Sequence, residues 1–240
     1  MTLIVHIRKK IGEFSLQADF EAAQSVLALL GPSGCGKSMT LKCIAGIERP
    51  DEGFIALDGR VLFDSANKVN LAPQKRRVGY MFQNYALFPN MSVRKNVLAG
   101  MGRKPDPALA DPYLERFRIA DLAERFPHEL SEGQKQRTAM ARIVAQAPDA
   151  ILLDEPFAAL DTVLKWQLEQ EMLQVLTQEK KPTVFVSHDI SEVYQMSGAV
   201  CSMKDGKTMA QVKTGEFFDR LKKGTADLMP GWRILPPEEV

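Results

Sequence analysis

Residues 31–38 read Gly-Pro-Ser-Gly-Cys-Gly-Lys-Ser, and the apolar run Val26–Leu30 precedes them. A Gly-x-x-x-x-Gly-Lys-Ser stretch set between a strand and a helix is built to wrap phosphate. Gly31, Gly34 and Gly36 let the backbone curl so that its N–H groups face an anion, with Pro32, Ser33 and Cys35 completing the loop. The helix that follows adds the partial positive charge of its N-terminus at the same place. Lys37 would reach the β- and γ-phosphates, Ser38 would ligate Mg²⁺ through its hydroxyl, and Met39 continues the first helical turn. The expected ligand is a nucleoside triphosphate with Mg²⁺.

Three further groups fit chemistry on that triphosphate. Ala150–Leu153 is an apolar strand that delivers Asp154 and Glu155 at its C-terminal end, the edge where ligands gather on a parallel sheet. Asp154 would hold Mg²⁺, directly or through water, and Glu155 would act as general base on the attacking water. Val186-Ser187-His188-Asp189 ends the next strand, which places His188 for a γ-phosphate contact. Gln83 ends the strand Val78–Phe82 and would ligate Mg²⁺ or the lytic water, sensing the triphosphate.

The elements that must position these residues follow from the apolar pattern. Alternation of Leu3, Val5, Ile7 and then Phe14, Leu16, Ala18, Phe20 predicts antiparallel strands beside the nucleotide site. Asp58-Gly59 between Phe54–Leu57 and Val61–Phe63 predicts a hairpin. Residues 86–147 are helix-compatible and broken by Gly100, Gly102, Pro105, Pro107 and Pro112. From Ala150 buried strands alternate with helices again, which implies a parallel sheet. The expected architecture is α/β: a P-loop nucleotidase core with a parallel sheet (1–85 and 148–225), an N-terminal antiparallel β layer, and a helical subdomain inserted at 86–147. Residues 226–240 read as a short Pro-rich tail.

Composition narrows the class. The 240 residues carry 31 basic and 30 acidic side chains, so no global field favours nucleic acid. The odd count of three cysteines lacks metal spacing and suits a reducing compartment. Met1–Ile7 is too short for a secretory leader, and no apolar run approaches the roughly 20 residues that span a bilayer. Membrane contact is therefore expected through a partner.

Leu130-Ser131-Glu132-Gly133-Gln134 opens a helical run to Gln146, and Ser131 with Gln134 three residues on forms a capping box. With the phosphate loop, Gln83, Asp154-Glu155, the Ala159-Leu160-Asp161 turn and His188, all in order along nearly the whole chain, it resembles the signature of ATP-binding-cassette ATPases, usually Leu-Ser-Gly-Gly-Gln. Glu132 replaces the commoner Gly there, and Met39 stands where Thr often follows. The resemblance implies two copies packed head to tail, with each ATP between one copy's phosphate loop and the other's Ser131, Gly133 and Gln134. Asp161 then lies in the turn that crosses the dimer interface. It further implies a permease partner on the cytoplasmic face of the membrane, and indirectly a solute-binding protein. Ala72–Val93 and Leu57–Asp64 look most like importer ATPases of the molybdate type, then sulfate, polyamine, ferric iron and sugar importers. Many of these carry an added C-terminal regulatory β domain, and none is expected within residues 1–240. The family stacks adenine on an aromatic residue ahead of the phosphate loop, where Phe14 is the one aromatic, equally readable as core packing. Tyr85 and Phe88 are expected in an exposed turn that receives a permease helix.

Overall fold

The computed structural model describes residues 1–23, 25–102, 106–158 and 162–223, except for the side chains of 162–164. The strands are β1 (Leu3–Ile11), β2 (Phe14–Ala22), β3 (Val26–Leu30), β4 (Glu52–Leu57), β5 (Arg60–Asp64), β6 (Val69–Asn70), β7 (Val78–Met81), β8 (Ala150–Asp154), β9 (Thr183–Ser187), β10 (Ala199–Lys204), β11 (Lys207–Thr208) and β12 (Val212–Lys213). The helices are α1 (Lys37–Ala45), α2 (Pro73–Arg76), α3 (Val93–Gly100), α4 (Asp111–Arg116), α5 (Glu132–Ala145), α6 (Thr162–Glu179), α7 (Ile190–Met196) and α8 (Thr214–Lys222).

One half of the sheet is parallel, in the order β10-β3-β9-β8-β7. The other half, β6-β5-β4-β1-β2, is antiparallel and includes the β4–β5 hairpin turned at Asp58-Gly59. β11 joins the halves, pairing with β10 on one side and β2 on the other. This is the expected α/β core with its β layer.

The parallel strands are apolar throughout because both faces are covered. In β3 alternate residues serve two cores: Val26, Ala28 and Leu30 face one, and Leu27 and Leu29 the other. The first core packs against helices α3 to α8. The second lies between the parallel strands, α1 and the antiparallel layer, where Leu3, Val5, Leu16, Ile55 and Phe63 are buried. α1, and with it the phosphate loop, is therefore gripped between the two halves of the sheet.

The far end of α1 is held by Arg76, which is fully buried. Its guanidinium donates to the carbonyls of Cys43 and Ile44 at 2.8 Å, to Leu71 O at 2.8 Å and to Asn70 Oδ1 at 2.8 Å. A cation at a helix C-terminus opposes the negative end of the dipole and adds donors to these end carbonyls, of which the Gly46 amide also reaches Cys43 O at 3.2 Å. Gly46 ends α1 with φ +79°, and a Cβ there would meet Arg76 Nε at 2.5 Å. Between β7 and β8 lie α3, α4 and α5, with α3 and α5 in close contact. No helix among the described residues is long and apolar enough to cross a membrane.

Candidate functional site

Parallel pairing brings four strand ends to one edge of the sheet. β3 runs into the loop 31–36, β8 ends at Asp154, β9 ends at Ser187, and β7 leads through Phe82 to Gln83. The loop's shape depends on two glycines. A Cβ on Gly31 would lie 2.2 Å from Met203 O, and Gly36 adopts φ +106° with Leu16 Cδ1 2.9 Å from where a Cβ would sit. Pro32, Ser33 and Gly34 are exposed at the tip, while Cys35 is buried. Burial pushes the Cys35 thiol up, against the lowering pull of Lys37.

α1 starts at Gly36 with no side-chain cap and no acidic residue in its first turn. Its amides and dipole are thereby left to an anion. Lys37 is buried and donates to Gly31 O at 2.8 Å and Pro32 O at 2.9 Å, so its ammonium already sits inside the loop's curl. Ser38 Oγ donates to Asp154 Oδ1 at 2.7 Å. Met39 packs its side chain toward the second core.

On the opposite side of Asp154, Tyr80 donates its phenol to Oδ2 at 2.8 Å. Burial, and next the Asp154 carboxylate, push that phenol up, so it stays a donor. Tyr80 is not among the residues expected from sequence. Its signal is a tyrosine in an otherwise apolar strand, since a buried phenol needs a partner. Tyr80 is opposite Leu152 in the β7–β8 register, which puts Asp154, two residues on, along the same face.

Glu155 has φ +46°, a left-handed conformation uncommon for a side-chain-bearing residue. Its N–H donates to Val186 O at 3.1 Å, which fixes it to the neighbouring strand. The carboxylate then lies between two other predicted residues. Gln83 Nε2 approaches Oε2 at 3.4 Å, and His188 Nδ1 lies 3.5 Å from Oε1. His188 is half exposed.

These residues fit Mg²⁺ with a triphosphate. Among the described residues no cluster of three or more His, Cys, Asp or Glu could hold a metal alone. One carboxylate and one hydroxyl that meet at a phosphate loop are the usual donor set for Mg²⁺, which takes its remaining ligands from phosphate and water.

Phe14 lines a cleft of about 490 Å³ with Pro32, Ser33, Gly34 and Cys35, closed by Glu13, Ser15, Asp205 and Lys207. Its ring is half-buried against the second core and reaches the phosphate loop at Gly36.

The signature segment starts α5 as a capping box: Ser131 Oγ accepts from Gln134 N at 3.3 Å and Gln134 Oε1 accepts from Ser131 N at 2.9 Å. The bonds of Ser131 and Gln134 thus close within α5, and Gly133 is buried. Glu132 pairs with Lys135 at 2.7 Å. Asp161 and the turn 159–161 lie outside the described residues, as does the tail 226–240.

The turn after Gln83 departs from expectation. Tyr85 (φ +60°) is buried and directs its hydroxyl to Pro156 O at 3.4 Å. Desolvation drives its pKa to about 12. Phe88 is 46% exposed, with the Arg142 guanidinium 5.4 Å from its ring centroid. The exposed aromatic pair expected from sequence is one exposed ring and one core residue. Left-handed turns at Tyr85 and Ala86 send the two in opposite directions, and Arg142 fixes the turn by donating to the carbonyls of Tyr85 and Ala86.

A family model described as "ABC transporter" matches residues 16–158. The chain belongs to the ABC transporter family. The matched stretch contains the phosphate loop, Gln83, the Ser131–Gln134 turn and Asp154-Glu155. The molybdenum import ATP-binding protein ModC of Paramagnetospirillum magneticum is 39% identical over 211 residues, 87% of this chain and 58% of that relative. The Fe(3+) ions import ATP-binding protein FbpC 2 of Haemophilus influenzae is 41% identical over 82% of this chain and 54% of its own length. This chain therefore spans a little over half the length of these curated relatives. Among solved structures, the dimeric ATP-binding cassette MJ0796 bound to ADP and Pi superposes with a TM-score of 0.73 at 27% identity, covering 89% of this chain and 99% of that one.

Proposed function

We propose that this chain is the ATP-hydrolysing subunit of an importer, working as a head-to-tail pair on the cytoplasmic face of a membrane. The observation that carries the reading is the convergence of Ser38, Asp154, Gln83, Glu155 and His188 at the rim of a phosphate loop. In this reading residues 31–39 cradle the triphosphate, and Lys37 exchanges its loop carbonyls for phosphate oxygens. Ser38, Asp154 and Gln83 hold Mg²⁺, which neutralises charge on the β- and γ-phosphates when bound. Glu155 takes a proton from the attacking water, and His188 donates to the γ-phosphate. Phe14 supplies the stacking face for the base. Ser131, Gly133 and Gln134 of the second copy close on the γ-phosphate at the N-terminus of α5, and Asp161 crosses between copies. The dimeric state of the MJ0796 cassette bound to ADP and Pi supports that pairing.

The names of the relatives support import, with an oxyanion such as molybdate the first reading of the solute. Ferric iron is the second, favoured by the 41% identity to FbpC 2. The ATPase itself does not touch the solute, which a solute-binding protein delivers to the permease. Phe88, exposed on a turn clamped by Arg142 and Asn96, is the contact offered to the permease. The test pairs the purified subunit with its permease and measures hydrolysis and uptake of molybdate and ferric iron. Phe88→Ala is expected to leave hydrolysis by the isolated subunit intact and to lower uptake. Equal loss in both would assign Phe88 to packing, and uptake of neither solute would remove both solute readings.

A further inference from the structure

Behind His188 lies a partly buried charged cluster that the site as described does not use. Lys165, near the start of α6, places its ammonium 2.5 Å from Asp189 Oδ2 and 2.6 Å from Glu192 Oε1. Asp189 is the residue after His188, and its other oxygen accepts from Ser191 N at 2.8 Å and Ser191 Oγ at 2.6 Å. Glu192 is buried and accepts from Ser187, the residue before His188, at 2.6 Å. Ser187 Oγ in turn accepts from Asp189 N at 2.9 Å. Both neighbours of His188 are thus tied to acids that one lysine bridges.

The arrangement is costly unless it does something. Glu169, one turn along α6, adds a third carboxylate and is itself buried. Three acids converge on one cation, whereas His188 makes only a 3.5 Å approach to Glu155 and is half exposed. Among the described residues nothing on the solvent side fixes the His188 ring, so its position is set from behind. Burial pushes the Asp189 carboxyl up, yet the bonds from Lys165 and Ser191 outweigh it and bring it to about 2. The Lys165–Asp189 pair is therefore charged at neutral pH.

We propose that Lys165 is a positioning residue for hydrolysis, holding His188 in register with Glu155 through Asp189 and Glu192. The proposal rests on the reading of Glu155 and His188 given above. α6 begins at Thr162, so a shift of that helix would move Lys165 and, through it, His188.

The experiment is a double-mutant cycle on steady-state ATP hydrolysis by the purified protein, with Lys165→Met, His188→Ala and the pair. Lys165→Met should lower kcat about 10- to 100-fold with KM for ATP changed less than about threefold, the scale expected from misplacing a catalytic group. Lys165→Arg should recover most of the loss, because a guanidinium reaches both acids. In the His188→Ala background Lys165→Met should cost less than about twofold. A purely structural role would instead give the same fold-loss in both backgrounds, and that result overturns the proposal, as does an unchanged kcat. Should Lys165→Met fail to fold, Lys165→Gln, which keeps a donor, carries the same cycle. If His188→Ala alone leaves kcat unchanged, the role of His188 falls first; if His188→Ala is impaired but the losses add, only the role of Lys165 falls.

Discussion

Tyr80→Phe removes one hydroxyl from a buried strand and leaves the ring in place. Among the described residues that hydroxyl is one of two side-chain donors to the buried Asp154 carboxylate, at 2.8 Å, the other being Ser38 at 2.7 Å. A hydrogen bond to a charged group contributes about 1.5–3 kcal/mol, and the loss is expressed in full when the acceptor stays buried. For a chain of this length each kcal/mol corresponds to about 2–4 °C, so the melting temperature should fall by about 3–12 °C. In the proposed site the carboxylate also loses the group that orients it toward Mg²⁺, and outer partners of this kind are worth about 10- to 100-fold in metal affinity. The assay is thermal unfolding of both proteins without nucleotide, followed by titration of Mg²⁺ at fixed ATP. A melting temperature within about 1 °C of wild type, with unchanged Mg²⁺ dependence, would refute the role given to Tyr80.

Lys37→Ala should weaken ATP binding by at least about tenfold, the charge-assisted contact with phosphate being lost, and equilibrium titration with nucleotide reads it directly. An unchanged dissociation constant would mean that residues 31–38 are not the phosphate site. Glu169, raised by burial and by Glu192 and Asp189 against the pull of Lys165 to about 7, binds a proton in the folded state that the unfolded chain releases nearer 4.5. Its contribution is present at low pH and lost as pH rises through 7, up to about 3 kcal/mol. Glu169→Gln should therefore gain stability over wild type between pH 5 and pH 8, and denaturant unfolding at the two pH values showing the same difference would contradict this.

Local signals carried most of the site. The phosphate loop is contiguous, Asp154-Glu155 and His188 sit at the ends of short apolar strands, and the Ser131–Gln134 capping box closes within four residues. Each could be read because its geometry is set by near neighbours in the chain. What the sequence hid is set by distant ones. Tyr80 acquires its purpose only when β7 pairs with β8, more than 70 residues away. Arg76 looks like one of three adjacent surface cations in Lys75-Arg76-Arg77, yet it is fully buried because α1 ends against it. Tyr85 and Phe88 look alike in the sequence; positive φ at Tyr85 and Ala86 separates them into core and surface. Lys165 reads as a solvated charge on a helix, and its two acids lie beyond β9.

In the proposed mechanism Glu155 is the general base of a site that a second copy of the chain completes. Its most direct test is sedimentation of Glu155→Gln with and without MgATP, with hydrolysis measured on the same samples. The expected result is a monomer without nucleotide, a stable dimer with MgATP, and hydrolysis at least about 100-fold slower than wild type. A variant that binds MgATP yet stays monomeric, or that hydrolyses within about threefold of wild type, would contradict it.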